Sequence, residues 1–272
     1  MILKKTLPPS YLSWNKKWGS PYGNTYFWSI LNTKITFNFL RLRLVSFLRE
    51  NVYVMKLLGM FAFQDNSFTR SAEYPWAFTA TKLKKRMKVV EIGGGLSGFQ
   101  FVLSKSGMRV SNVDPGEEKY GWGYSSKQID LMNRAFDSDV TYIPKTLDQA
   151  GIAPNSIDRV YCISVIEHLS PMEQKQIMKH AYKILKKGGY FILTVDLFLD
   201  IYPFTQKQTN KWGSNASIKE LISGTRFKLH IGHKNELTGF TEFDEKKILE
   251  NLSSYLLGTD YPVLTQAFVL KK

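Results

Sequence analysis

Apolar positions along the chain change their period near residue 88. Upstream, Phe37, Leu40, Leu44, Phe47 and Leu48 recur at helical spacing with Arg41, Arg43 and Arg49 between them, which predicts a basic amphipathic helix over Thr33 to Glu50. Its stripe suits either a cap packed into the core or a membrane surface. Downstream, Val89 to Ile92 is a short apolar run that fits a buried parallel strand. Gly93, Gly94 and Gly95 then allow a sharp turn and a close approach of bare backbone to a ligand. Ser97 stands as the cap of a helix through Ser106 that stops at Gly107, and Arg109 to Val113 resumes as a strand ending at Asp114.

The same alternation continues. A stretch with Gly116, Gly121 and Gly123 leads to a helix over Ser126 to Phe136, a strand over Val140 to Ile143 and another over Asp158 to Ser164. Ser170-Pro171-Met172-Glu173 is a capping box with proline in the first turn. The helix it opens buries Ile177, Ala181, Ile184 and Leu185, carries Lys186 and Lys187 in its last turn, and ends at Gly188-Gly189 before a strand over Tyr190 to Val195. A helix over Ser217 to Ser223, a strand over Phe227 to Ile231, a helix over Asp244 to Leu257 and a strand over Val263 to Leu270 complete the pattern. Repeated strand-helix units imply an α/β fold, a Rossmann-like doubly wound, mostly parallel seven-stranded sheet with helices on both faces. A mainly helical segment precedes it. The expected division is an accessory or cap segment over 1–86 and a cofactor-binding domain over 87–272.

Charge sharpens that division. Of the net +14, residues 1–88 hold 15 Lys/Arg against 3 Asp/Glu, whereas residues 89–272 hold 22 against 20. The basic leading segment points to an anionic partner, which could be a substrate group, a membrane surface or nucleic acid, or else to a plain solvated face. With 272 residues and 43% hydrophobic content the chain can bury a full core. A single cysteine, Cys162, excludes an internal disulfide framework, and the start has no apolar run long enough for a signal peptide, so a cytoplasmic protein is expected.

Four blocks carry a family likeness: Val-Val-Glu-Ile-Gly-Gly-Gly at 89–95, Val-Asp-Pro at 113–115, Cys-Ile-Ser-Val-Ile-Glu-His-Leu at 162–169, and Ile-Leu-Lys-Lys-Gly-Gly-Tyr-Phe-Ile-Leu at 184–193. In order and spacing they resemble the class I S-adenosylmethionine-dependent methyltransferases over about Lys88 to Val195. Arg70 to Phe78, with Glu73-Tyr74-Pro75-Trp76, is similar to a segment that precedes the sheet in some bacterial members. The resemblance implies S-adenosyl-L-methionine as cofactor. It also implies that Glu91 and the backbone of Gly93, Gly94 and Gly95 hold the methionine part, that Asp114 beside Pro115 takes the ribose hydroxyls, and that Ser164, Val165 and Ile166 line the cofactor. Two positions depart from the family's pattern. Ser97 stands where glycine is frequent, with Gly98 one step later, and the loop after the third strand lacks an acid for the adenine amine, which leaves Asp148 or the backbone of Thr146 and Leu147.

A sulfonium-activated methyl group needs an aligned nucleophile, and a hydroxyl acceptor benefits from a base. His168, Glu167 and Asp196 lie where parallel sheets place their active sites, at the carboxyl ends of strands, and are the catalytic candidates. Asp200 and His233 are fainter ones. The histidines and the cysteine lack metal-ligand spacing, so no metal is expected. The expected reaction is methyl transfer to oxygen or nitrogen of a small metabolite or glycan, with an anionic acceptor, nucleic acid and peripheral membrane contact as possible partners. Two rivals stand beside it: a NAD-dependent oxidoreductase, since Gly93, Gly95 and Gly98 also satisfy a dinucleotide loop, and an RNA- or membrane-binding protein with a degenerate cofactor fold.

Overall fold

The carboxyl ends of five parallel strands lie along one side of a seven-stranded sheet, and the arrangement follows from residues buried on both faces of the central strands. The computed structural model describes residues 1–19, 21, 50–64, 66–116, 126–259 and 261–272. The helix predicted over Thr33 to Glu50 and the glycines 121 and 123 fall outside these residues, except for Glu50 itself.

The strands are β1 (Lys88–Ile92), β2 (Arg109–Val113), β3 (Val140–Ile143), β4 (Ile157–Ile163), β5 (Leu185–Phe198), β6 (Lys228–Ile231) and β7 (Val263–Lys271). Their order across the sheet is β3-β2-β1-β4-β5-β7-β6. β1 through β5 run parallel, and β7 runs antiparallel between β5 and β6. Successive residues of the central strands enter different cores: Val89, Tyr161, Ile192 and Val269 face one, and Val90, Val160, Cys162, Phe191, Leu193 and Leu270 face the other. That two-sided burial is why these strands read as continuous apolar runs.

The helices are α1 (Pro9–Trp18), α2 (Val52–Leu58), α3 (Arg70–Thr79), α4 (Gly98–Lys105), α5 (Ser126–Phe136), α6 (Pro171–Ile184), α7 (Ile218–Ser223) and α8 (Glu245–Glu250), all within the described residues. The first core gathers residues from α1 through α5, the second gathers α6 and α7. No helix among the described residues is long and apolar enough to cross a membrane.

The first residues join the sheet. The amino group of Met1 donates to the Ala267 carbonyl at 2.8 Å, Ala267 N–H donates back to Met1 at 2.7 Å, and Ile2 bridges Gln266 beside β7. From there an aromatic column crosses the molecule. Trp14 of α1 meets Phe61 at 5.9 Å between ring centroids, Phe61 stacks on Tyr74 of α3 at 5.7 Å, Tyr74 stacks on Phe99 of α4 at 5.2 Å, and Phe99 meets Tyr161 of β4 edge-on at 5.2 Å. Gly98 opens the space for this column, because a β-carbon there would overlap the Phe61 ring.

Three local expectations are corrected. α6 keeps its predicted capping box and proline start but ends at Ile184, so Lys186 and Lys187 lie in the first residues of β5, not in a last helical turn. Lys186 instead pairs with Asp158 at 2.6 Å. The final helix covers only Glu245–Glu250 and passes through a 3-10 turn, Leu252–Ser254, where Asn251 interrupts it. Ser97 occupies the cap position of α4 yet makes no capping bond; its hydroxyl donates to Glu91 Oε1 at 2.9 Å.

Candidate active site

Glu91, the last but one residue of β1, is a carboxylate in a position that the strand pattern would fill with an apolar side chain. It is buried, and one oxygen accepts the Ser97 hydroxyl while Oε2 has no hydrogen-bond partner among the described residues. Burial raises its pKa from the ordinary 4.5 to about 8, against the Ser97 bond, with the charge of Asp114 adding to the rise. The glycine loop that follows is pinned from three sides. Asn112 and Gln100 donate to the Gly95 carbonyl at 2.9 and 3.0 Å, and Gly95 N–H donates to Asp114 Oδ2 at 3.0 Å. Gly93 and Gly95 have φ of 65° and 53°, the left-handed region that favours glycine. A β-carbon on Gly93 would sit 2.7 Å from Val165, and one on Gly94 would sit 2.8 Å from Asn112 and 3.0 Å from Glu91.

Asp114 at the end of β2 holds Gly95 N–H with one oxygen and Gly116 N–H with the other, at 2.8 Å, with half-buried Pro115 between. A carboxylate offers about four acceptor directions, so two remain for a diol.

The second group forms where β4 and β5 end. Ser164 takes a φ of 47°, uncommon for a residue with a β-carbon, and so turns the chain into a 3-10 turn, Ile166–His168. Its hydroxyl donates to Glu73 Oε1 at 2.7 Å and accepts from Arg70 Nη1 at 2.6 Å; Asp196 Oδ1 lies 3.3 Å away. Glu73 is buried and also accepts from Thr194 at 2.7 Å, from Thr69 at 3.0 Å and from Arg70. Asp196 accepts from the Tyr261 hydroxyl at 3.2 Å, and its backbone N–H donates to Glu167 Oε1 at 3.3 Å. Glu167 Oε2 is buried without a partner among the described residues.

Two of these carboxyls, Asp196 and Glu167, resist ionisation. Burial and then the charge of Glu73 raise Asp196 to about 7, and burial and then Asp196 hold Glu167 well above the carboxylate range. His168 has the opposite tendency: desolvation lowers its pKa below 6.5, opposed by the Trp212 carbonyl and assisted by the charge of Arg70. Its Nδ1 lies 2.6 Å from that carbonyl. A carbonyl only accepts, so Nδ1 carries the proton and Nε2 presents a bare lone pair.

Of the residues singled out in the sequence, the fold gathers Glu91, Gly93, Gly94, Gly95 and Asp114 in one cluster and Ser164, Glu167 and Asp196 in another, with His168 at the rim. Gly93 against Val165 joins the two. The remainder lie apart or are otherwise engaged. Ile166 and Leu147 are core side chains, the Thr146 carbonyl closes a turn with Gln149 N–H, and Asp148 is exposed. Asp200 is bound by Asn210 at 2.9 Å within its own loop, and His233 is exposed beyond β6, the sheet's edge strand. Sequence reasoning missed Arg70, Glu73, Gln100, Asn112 and Tyr261. For Asn112 a signal existed, a polar residue inside a buried strand; for Glu73 it was the Glu-Tyr-Pro-Trp block, whose partners the sequence does not reveal. No cluster of metal-ligating side chains occurs among the described residues.

Residues 69–227 match the family described as a methyltransferase domain. That is more than half of the chain, and the chain belongs to this family, the class I S-adenosylmethionine-dependent methyltransferases, with S-adenosylmethionine as its cofactor. Family membership decides against the oxidoreductase. Among solved structures, an S-adenosylmethionine-dependent methyltransferase from Mesorhizobium loti is 14% identical, with a TM-score of 0.51 over 74% of this chain and 97% of that one. A geranyl diphosphate C-methyltransferase from Streptomyces coelicolor A3(2) is 15% identical, with a TM-score of 0.48 over 74% of this chain and 77% of that one. A phosphoethanolamine N-methyltransferase from Haemonchus contortus is 15% identical, with a TM-score of 0.49 over 84% of this chain and 59% of that one. At such identities the likeness is one of fold. No curated protein sequence matches the chain.

Proposed function

We propose that the chain transfers the methyl group of S-adenosylmethionine to oxygen or nitrogen of a small metabolite or glycan, at the carboxyl ends of β1, β2, β4 and β5. The observation that carries this reading is the contact between the pinned glycine loop and the 164–168 turn, which sets a glycine-lined cradle beside a cluster of buried carboxyls. The cradle fits the cofactor. Gly93 and Gly94 leave room only for bare backbone, Asn112 and Gln100 keep unpartnered amide oxygens, and the unpartnered oxygen of Glu91 becomes an acceptor when a cation draws off its proton. Glu91 and the backbone of Gly93 to Gly95 would hold the amino-acid end, Asp114 the ribose diol with Pro115 alongside, and Ser164 to Ile166 the wall. The Thr146 and Leu147 backbone is the remaining candidate for the adenine. When bound, the cofactor supplies an electrophilic methyl group; the chain's own residues orient the acceptor, exclude water and remove a proton.

His168 is the base in this reading, because its neutral tautomer leaves Nε2 free. Glu167 and Asp196 orient the acceptor. Residues 1–86 act as the accessory segment over the acceptor side, with α3 as its part in the site, and 87–272 as the cofactor-binding domain. The single buried thiol Cys162 supports a cytoplasmic setting. Nothing among the described residues adds support for a nucleic-acid or membrane partner of the basic leading segment.

Calorimetry with S-adenosylhomocysteine tests the cofactor half. Asp114→Ala is expected to weaken binding by roughly 10- to 100-fold, the loss of one or two charge-assisted hydrogen bonds. Unchanged affinity would remove the ribose assignment.

A further inference from the structure

The bond from His168 Nδ1 to the Trp212 carbonyl decides which nitrogen of the imidazole can accept a proton. In the other tautomer Nε2 carries the proton and offers no lone pair at the rim. His168 is exposed, so its ring depends on that bond more than on packing. Whatever aims the Trp212 carbonyl therefore sets the state of the histidine.

A tight turn between β5 and α7 does the aiming. The Trp212 carbonyl and the Gly213 N–H are opposite ends of one rigid peptide plane. Gly213 N–H donates to Asn210 Oδ1 at 3.1 Å and to the Asn210 carbonyl at 3.3 Å, so the far end of the plane points away from Asn210, towards His168. The same Oδ1 accepts from Trp212 N–H at 2.8 Å, and Asn210 Nδ2 donates to Asp200 Oδ1 at 2.9 Å, which ties the turn to the chain just past β5. Gly213, at φ 142°, rests on the Glu167 carbonyl where a β-carbon would collide, and Ser214 N–H donates to that carbonyl at 3.4 Å. The turn thus leans on the residue next to the histidine. The Trp212 ring, stacked on Tyr261 at 4.9 Å and with the Lys211 ammonium 4.6 Å over it, fixes where the residue lies but not the rotation of its peptide plane.

Resting on the methyltransferase reading above, in which His168 is the base, we propose that Asn210 is a positioning residue for the transfer: it holds the 212–213 peptide plane so that the Trp212 carbonyl takes the Nδ1 proton and Nε2 stays unprotonated for the acceptor. Asp200 serves the same end one step further out, by holding the Asn210 amide, and this gives it a part other than contact with the acceptor. In the transfer the acceptor's O–H or N–H proton passes to Nε2 while the Nδ1 proton stays in its bond to the Trp212 carbonyl. The acceptor atom bonds to the methyl carbon, and the electron pair of the broken carbon–sulfur bond stays on sulfur. Loss of the Nε2 proton to solvent then restores the starting tautomer.

Nitrogen-15 shifts of the full chain labelled at histidine separate the two tautomers at about pH 8, where the His168 imidazole is neutral, and loss of its signals in His168→Gln assigns them. The parent is expected to carry the proton on Nδ1. Asn210→Ala should lower the ratio of Nδ1–H to Nε2–H by about 5-fold, the worth of one hydrogen bond. Asn210→Ser keeps a side-chain oxygen that can accept from the turn and should stay within about 2-fold of the parent. Affinity for S-adenosylhomocysteine within about 3-fold of the parent reports that each variant has folded. An unchanged ratio in Asn210→Ala, or an equal fall in Asn210→Ser, would overturn the proposal. Should Asn210→Ala lose S-adenosylhomocysteine binding, Asp200→Ala carries the test, since it releases the Asn210 amide and leaves the turn's own bonds in place; a fall of about 2-fold is expected, and an unchanged ratio would overturn the proposal. A parent with its proton on Nε2 would instead overturn His168 as the base, and a parent that does not bind S-adenosylhomocysteine would overturn the cofactor site.

Discussion

Glu91 shows how one residue can be tuned against stability. A carboxyl raised to about 8 in the folded chain, from 4.5 when exposed, favours folding only while it is protonated. Its contribution is therefore complete below pH 4.5 and is lost as pH climbs towards 8. Glu91→Gln has no proton to lose. The stability of Glu91→Gln relative to the parent should rise between pH 5 and pH 8 by on the order of a few kcal/mol, followed by denaturant titration at several pH values. A difference that stays flat across that interval would mean that the buried carboxyl ionises freely. Such a penalty is expected where a strand position is given over to a ligand. The unpartnered Oε2 is consistent with that use, and the cationic amino group of the cofactor would recover the cost on binding. Saturating S-adenosylhomocysteine should accordingly flatten the parent's pH dependence more than that of the variant.

Among elements, α3 is the least ordinary helix of the chain. Residues Ser71 to Ala77 are all buried, and Pro75 lies inside the helix. Its carboxylate Glu73 receives hydrogen bonds from β5 through Thr194 and from the end of β4 through Ser164, so one short helix registers two strand ends against each other. The charge of Glu73 also raises Asp196. Glu73→Gln keeps an oxygen for Ser164 and Thr194 but removes that charge. Carbon-13 carboxyl shifts of aspartate-labelled protein, with the signal assigned by its loss in Asp196→Asn, should place the parent midpoint near 7 and move it down by about one unit in Glu73→Gln. An unmoved midpoint would limit Glu73 to a purely structural part. None of this was legible from the chain, because Glu73 and its strand partners are separated by 91 and 121 residues. Features set by near neighbours were legible. The capping box at Ser170, the α5 and β3 limits, and the strand-loop-helix of β1 and α4 follow from residues a few positions apart. Ser97 marks the boundary between the two cases: local rules made it a helix cap, and a buried carboxylate six residues upstream took its hydroxyl instead. The early end of α6 is similar, since Leu185 is drawn into register with Ile157 of β4 before the helix can use Lys186 and Lys187.

At the scale of the whole molecule, the leading segment and the sheet share one core. Leu3, Trp14, Met55, Phe61, Tyr74 and Trp76 pack in the same cluster as Phe99, Phe101 and Tyr161, and the aromatic column links α1 to the helix that carries the glycine loop. Stability and site geometry should therefore fail together when the column is broken at its far end. Trp14→Ala removes a buried ring that packs on Phe61 and Phe78, and should cost about 3 to 5 kcal/mol in denaturant unfolding. Leu12→Ala changes the same helix at a position 55% exposed and should stay within about 0.5 kcal/mol of the parent. Phe61 would then be free to shift towards the gap left by Trp14. Because Phe61 lies against Gly98, where the glycine loop enters α4, Trp14→Ala should also weaken S-adenosylhomocysteine binding under conditions where the variant remains folded, while Leu12→Ala should not. Equal affinities in the two variants would show that the column stabilises the fold without setting the loop, and would confine the influence of the leading segment to α3 and its carboxylate.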